Sequence, residues 1–135
     1  MSGATGMPIV DSSVFVKFLS GEEGWEEAER WLTRPSTVPL ALKEVANALR
    51  TKTLAGEIGA EDAKSMIGKL ASLVRLVDQN DLILKSFEIS VDHDVTVYDA
   101  LFVAAAMRSG ERELVTFDAK QAKVARELGV RVKGR

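Results

Sequence analysis

The chain has 135 residues, 46% of them apolar and 28% charged, with 18 basic against 20 acidic side chains and a formal net charge of −2. That length carries one hydrophobic core rather than two, and the composition is that of an ordinary globular domain. With no cysteine, disulfides, thiolate nucleophiles and Cys-type zinc sites are excluded. The near-balance of charge leaves a nucleic-acid partner open, to be decided by local distribution. No apolar run approaches the roughly 20 residues that span a bilayer. Residues 1–6 lack the basic and long apolar segments of a signal peptide. They are expected to form a short disordered lead before a single domain over residues 7–133, in a cytoplasmic protein without membrane contact.

Residues 7–10 are short, apolar and partly β-branched, and predict a first strand ending at Asp11. Ser12 and Ser13 then offer capping hydroxyls for a helix carrying Val14, Phe15, Phe18 and Leu19, stopped by Gly21. A second helix is predicted over 22–33, with Trp25, Ala28, Trp31 and Leu32 on one face. Residues 37–40 suit a short strand. Residues 41–54 are strongly helical, with Leu42, Val45, Ala46 and Leu49 toward the core, and Gly56 and Gly59 mark a turn. A helix over 60–73, a strand over 74–77 and a helix over 81–91 follow, the last with Leu82, Ile83, Phe87 and Ile89 apolar. Residues 92–96 read as a loop. The helix over 98–108 is nearly all apolar after its first turn, which makes it central. Residues 113–117 lack alternation and predict a strand buried on both faces. A helix over 119–128, Gly129 as its cap and a strand over 130–132 complete the chain. This alternation specifies an α/β three-layer sandwich with a central, mostly parallel sheet of about five strands.

Four acidic residues stand out against this frame. They are Asp11 in Pro8-Ile9-Val10-Asp11-Ser12-Ser13, Glu44 in Leu42-Lys43-Glu44-Val45-Ala46-Asn47, Asp99 in Val97-Tyr98-Asp99-Ala100-Leu101 and Asp118 in Val115-Thr116-Phe117-Asp118. Each borders an apolar run. Asp11 and Asp118 follow predicted strands, whereas Glu44 and Asp99 lie near the starts of predicted helices. In an open α/β fold such positions converge on the carboxyl ends of the strands, where ligands bind. Carboxylates held together raise one another's pKa, and a divalent cation is the usual means of keeping them ionised. Structural readings stand beside this one. Asp11 and Asp118 also suit helix N-caps, and Asp99 suits a favourable charge near a helix N-terminus. Glu44, with Asn47, Ala48 and Thr51 at helical spacing, suits a cleft wall or a solvated helix side.

Taken in order, these segments resemble the PIN-domain family, and most closely its small VapC-type toxin ribonucleases of toxin–antitoxin pairs. The resemblance runs from Ile9 to about Val132. It rests on Val10-Asp11-Ser12-Ser13-Val14, Glu44-Val45-Ala46-Asn47-Ala48-Leu49, Tyr98-Asp99-Ala100-Leu101-Phe102-Val103-Ala104-Ala105-Ala106 and Thr116-Phe117-Asp118. It implies that Asp11, Glu44, Asp99 and Asp118 bind Mg²⁺ or Mn²⁺ and cleave RNA. Asp11 and Asp99 would be direct ligands, Glu44 would position a water, and Asp118 would complete the site. Ser13, Asn47 and Thr116 would support it. The resemblance further implies an RNA substrate, a cognate antitoxin protein and a homodimer, with Trp25, Trp31, Val14, Phe15 and Phe18 supplying surplus apolar surface for a partner.

Other constellations are weaker. Asp92-His93-Asp94 contains the only histidine, which reads as a surface turn. There is no Walker A loop, Rossmann glycine fingerprint or nucleophile elbow. Arg50, Lys52, Arg108, Arg112, Lys120 and Lys123 are candidates for phosphate contact, with solvated helix faces as the alternative. A receiver-like phospho-acceptor domain is the rival reading, drawing on Asp78, Thr116 and Lys133, and a PIN fold that binds RNA without cutting it is another.

Overall fold

Five very short strands carry the sheet, each followed by helix where the chain continues. The computed structural model describes residues 7–134, so the expectation of a disordered lead over 1–6 lies outside the described residues. The elements are β1 (Ile9–Val10), α1 (Ser12–Ser20), α2 (Trp25–Glu29), β2 (Ser36–Thr37), α3 (Leu40–Leu54), α4 (Ala60–Leu73), β3 (Arg75–Leu76), α5 (Ile83–His93), α6 (Val97–Arg108), β4 (Glu113–Val115), α7 (Ala119–Glu127) and β5 (Arg131–Lys133), with a 3₁₀ turn over Asn80–Leu82. All strand pairs are parallel, in the order β3-β2-β1-β4-β5. The α/β sandwich expected from the sequence is therefore the fold. A receiver-type domain has the order 2-1-3-4-5, so the observed order removes that rival.

The centre of the molecule is β1, β4 and α6. Ile9, Val10, Leu114 and Val115 are buried, as the lack of alternation demands, and every residue from Ala100 to Ala106 is buried. A helix apolar on all sides has no solvent face to offer. Small alanines let α6 lie close to its neighbours, and it packs most extensively on α5. The β3 edge is exposed at both of its residues.

Three expectations need correction. The second helix spans only Trp25–Glu29. Gly24, at φ 94°, starts it late, and the chain leaves helical geometry after Arg30 to reach β2. Trp25 is partly exposed and tilts against Phe18 at 6.2 Å. Val14 and Phe15 are buried in the protein's own core and offer nothing to a partner. Next, Asp92 and His93 belong to α5 rather than to a loop; Asp94 ends that helix in the left-handed region, and His93 Nδ1 lies 2.9 Å from Glu127 Oε1. Within α5 and the turn before it, Ile83 and Phe87 point outward with Leu84 and Val91, while Leu82, Ser86 and Ile89 face the core. The periodicity identified the helix without fixing which of its apolar residues face the interior.

Candidate active site

The carboxyl ends of β1 and β4 are adjacent because those strands pair, with Val10 beside Val115. Asp11 and Thr116 therefore emerge side by side. Asp11 is 3% exposed and caps α1: its Oδ1 accepts the Ser13 amide at 3.0 Å and the Ser13 hydroxyl at 2.5 Å. Its Oδ2 accepts the Thr116 hydroxyl at 2.7 Å. Thr116 Oγ1 in turn accepts the Asp118 amide at 3.0 Å, and Ser13 Oγ accepts the Phe117 amide at 3.0 Å. Two hydroxyls thus tie the ends of both central strands to one carboxylate. An oxygen accepts about two hydrogen bonds. Oδ1 has both, whereas Oδ2 keeps one lone pair for a further partner.

The other acids arrive on helices. Thr96 caps α6, and its hydroxyl accepts the Asp99 amide at 3.1 Å, placing Asp99 in the first turn. Glu44 lies early in α3, and its Oε1 accepts the Ser12 hydroxyl at 2.7 Å. Asp118 caps α7, with Oδ1 accepting the Gln121 amide at 2.9 Å and the other carboxylate oxygen left for a second partner. The cap and the cleft reading are therefore compatible for both Asp11 and Asp118.

All four acids line one open cleft of about 420 Å³, together with Ser12, Ser13, Lys17, Glu22, Phe117 and Gln121. Thr116 is buried behind them. Asn47 is exposed on α3 and does not line the cleft; Ala48 takes the place beside Glu44. The small residue leaves room where a longer one would fill it. A larger cavity of about 600 Å³, lined by Met7, Pro35, Arg75 and neighbours, sits at the amino ends of the strands and carries no carboxylate.

Electrostatics distinguishes Asp11, Glu44 and Asp99 from surface acids. Burial pushes the Asp11 carboxyl from 3.8 up to about 6, against the opposing hydrogen bonds of Ser13 and Thr116, with the Asp118 charge adding to the rise. Burial also raises Glu44, helped by Asp99 and opposed by Ser12. Asp99 is raised by burial and then by Asp118, with the Thr96 hydrogen bond and the Lys120 charge acting the other way. Like charges in a partly dry cleft act on one another in this way. The donor set is all oxygen, the kind that suits a hard divalent cation. Among the described residues, no three of these acids are drawn together tightly enough to form a finished cage for one ion.

Two cleft residues escaped the sequence reading. Gln121 is 2% exposed; its Nε2 donates to the Asp99 carbonyl at 3.2 Å, and its Oε1 is buried without a partner. It therefore connects the caps of α6 and α7. The pattern Asp118-Ala119-Lys120-Gln121 has the spacing of a capping box and would have pointed to it. Lys17 lies one helical turn after Ser13, a spacing that puts both on one face of α1. Four of the six cations considered from sequence are instead occupied: Lys52 pairs with Glu22 and Glu57, Arg108 with Asp81 and Lys123 with Glu127, and Arg112 donates to the carbonyls of Met107 and Leu128.

Comparison with known proteins agrees with this fold. The PIN domain family matches residues 9–127. Ribonuclease VapC3 of Pyrobaculum aerophilum is 31% identical over 116 residues, covering 82% of this chain and 88% of its own. The crystal structure of PAE2754 from Pyrobaculum aerophilum superposes with a TM-score of 0.73 at 19% identity, covering 98% of this chain and 87% of that one; at that identity it speaks for the fold alone. A family match over most of the chain and a relative of this extent are sufficient: the chain belongs to the PIN-domain family and is VapC-type.

Proposed function

We propose that this protein is a Mg²⁺- or Mn²⁺-dependent endoribonuclease, the toxin of a toxin–antitoxin pair. The observation that carries the reading is the convergence of Asp11, Glu44, Asp99 and Asp118 on one cleft, three of them with raised pKa. The similarity to a protein named Ribonuclease VapC3 supports the same activity. A binding-only module would have no need to bury Asp11, crowd acids around it and bear that cost.

The residues fit a divalent cation. Their donors are carboxylate oxygens, Asp11 Oδ2 has a free lone pair, and a counter-charge would offset the burial, and the repulsion added to it, that raise Asp99 and Glu44. Asp11 and Asp99 would hold the ion, with Asp118 completing the set. When bound, the cation supplies Lewis acidity and neutralises charge on the phosphodiester. Ser13 and Thr116 keep the Asp11 carboxylate in one orientation, so its free lone pair faces a fixed direction. Glu44, steadied by Ser12 and held above the usual carboxylate range, takes the proton of an attacking water. Gln121 fixes the backbone on which Asp99 and Asp118 sit.

The partners follow from the same reading: an RNA substrate and a cognate antitoxin whose basic side chain competes for the carboxylates. No described helix is long and apolar enough to cross a membrane, and the cytoplasm is the proposed site of action. For the homodimer we place the contact on the outer face of α5. There Leu84 is 79% and Phe87 59% exposed, with Ile83 and Val91 beside them. Such a continuous apolar strip on a surface helix marks an interaction site.

The test is RNA cleavage by purified protein. Cleavage with Mg²⁺ or Mn²⁺ that stops on chelation is the expected result; cleavage that survives chelation would contradict the mechanism. Co-expression with the neighbouring upstream reading frame should yield a complex and relieve growth arrest.

A further inference from the structure

Among the residues that line the cleft, Lys17 is the single cation. It lies in the last turn of α1, and its ammonium stands 4.9 Å from the centre of the Phe117 ring. An aromatic face holds an ammonium without neutralising it, because the ring offers a quadrupole and no formal charge. Glu22, the cleft acid nearest to Lys17 in sequence, is instead held by Lys52 at 3.2 Å. No carboxylate among the described residues pairs with Lys17.

Phe117 is itself fixed. Its amide donates to Ser13 Oγ, and Ser13 Oγ donates to Asp11 Oδ1. The ammonium is thus referenced, through one ring and one hydroxyl, to the buried carboxylate of the cleft. Gly24 comes close on another side; a Cβ there would stand 3.6 Å from Nζ. A lysine that served only the carboxyl end of α1 would not need this platform.

We infer that Lys17 is the phosphate-binding cation of the cleft, its ammonium donating to a non-bridging oxygen of the bound phosphodiester, with Phe117 as its platform. Five acids line the cleft, and a polyanion entering it meets their repulsion. An ammonium that keeps its full charge and three donors is the group that offsets it. The inference rests on the proposed nuclease activity, and the experiment separates the two.

The probe is a fluorescein-labelled single-stranded RNA of randomised sequence. Its binding is followed by anisotropy in Ca²⁺ across a potassium chloride series, and its cleavage in Mn²⁺. Lys17→Met should bind roughly tenfold or more weakly, with a log-affinity salt slope flatter by about 0.7. Lys17→Arg should recover most of the affinity, Phe117→Leu should lose part of it, and all three should melt close to wild type. Unchanged affinity and slope in Lys17→Met would overturn the inference. So would weakening that Arg fails to restore and that comes with a lower melting temperature, because that is a structural effect. Wild type that binds the RNA without cutting it would sink the nuclease reading alone, and the binding comparison would still decide for Lys17. Wild type that binds no RNA would overturn both.

Discussion

Replacing Asp11 with Asn should flatten the pH dependence of stability in metal-free protein. The folded protein holds this carboxyl at about 6, against 3.8 for the free side chain. Between those values the unfolded chain releases the proton while the folded chain keeps it. The folded state then binds more protons, so its stability is complete below 3.8 and falls as pH rises through 6. The full shift corresponds to about 3 kcal/mol, and roughly 2 kcal/mol of it falls between about pH 4.5 and about pH 7.5. Glu44 and Asp99 shift in the same direction but are half-buried, and water screens much of their share. The assay is urea unfolding followed by tryptophan fluorescence with chelator present. Between the two pH values, wild type should lose about 2 kcal/mol more than Asp11→Asn. Equal losses, or a steeper loss in the variant, would refute the claim that Asp11 is buried at the expense of its charge. Added Mn²⁺ should stabilise wild type more than the variant at the higher pH.

Thr116→Val removes the donor to Asp11 Oδ2 and the acceptor of the Asp118 amide, and urea unfolding should show a loss of about 2–3 kcal/mol, largely restored by Ser. Asp118→Ala should cost about 1 kcal/mol through its cap on α7, while Asp118→Asn keeps the cap and reduces only the stabilisation gained from Mn²⁺ in thermal melts. Gln121→Met should stay within about 1 kcal/mol of wild type, because it removes an unpartnered buried oxygen together with one long hydrogen bond. Phe87→Asp should give a monomer in light scattering if α5 is the dimer contact; an unchanged dimer would move that contact elsewhere.

The parts legible in the sequence were those with local causes. The unbroken apolar runs at β4 and α6 reported burial on both faces, and serine or threonine beside an acid reported a cap. All four acids that border apolar runs line the cleft, and Ser13 and Thr116 hold the first of them in place. What escaped depends on distant neighbours. The spacing of Ile83, Phe87 and Ile89 gives a helix, but which apolar flank meets α6 is a packing outcome. Asn47 shares a helical stripe with Glu44, yet the cleft turns toward Ala48. A lone lysine in α1 reads as solvated until the fold brings the Phe117 ring beneath it. The overlong second helix failed for a different reason: Gly24 in the left-handed region restarts the chain where apolar spacing alone continues.

The most direct measurement of the central claim is the rate of RNA cleavage by Asp99→Asn against wild type at one fixed Mn²⁺ concentration, with thermal melts on the same samples. Asp99 is the informative position because asparagine keeps the backbone amide in the α6 cap and the carbonyl on Gln121, and can still bond the Thr96 hydroxyl. The account predicts a fall of about 100-fold or more, in a protein that melts no lower than wild type without metal. Cleavage at the wild-type rate by a folded Asp99→Asn would contradict it.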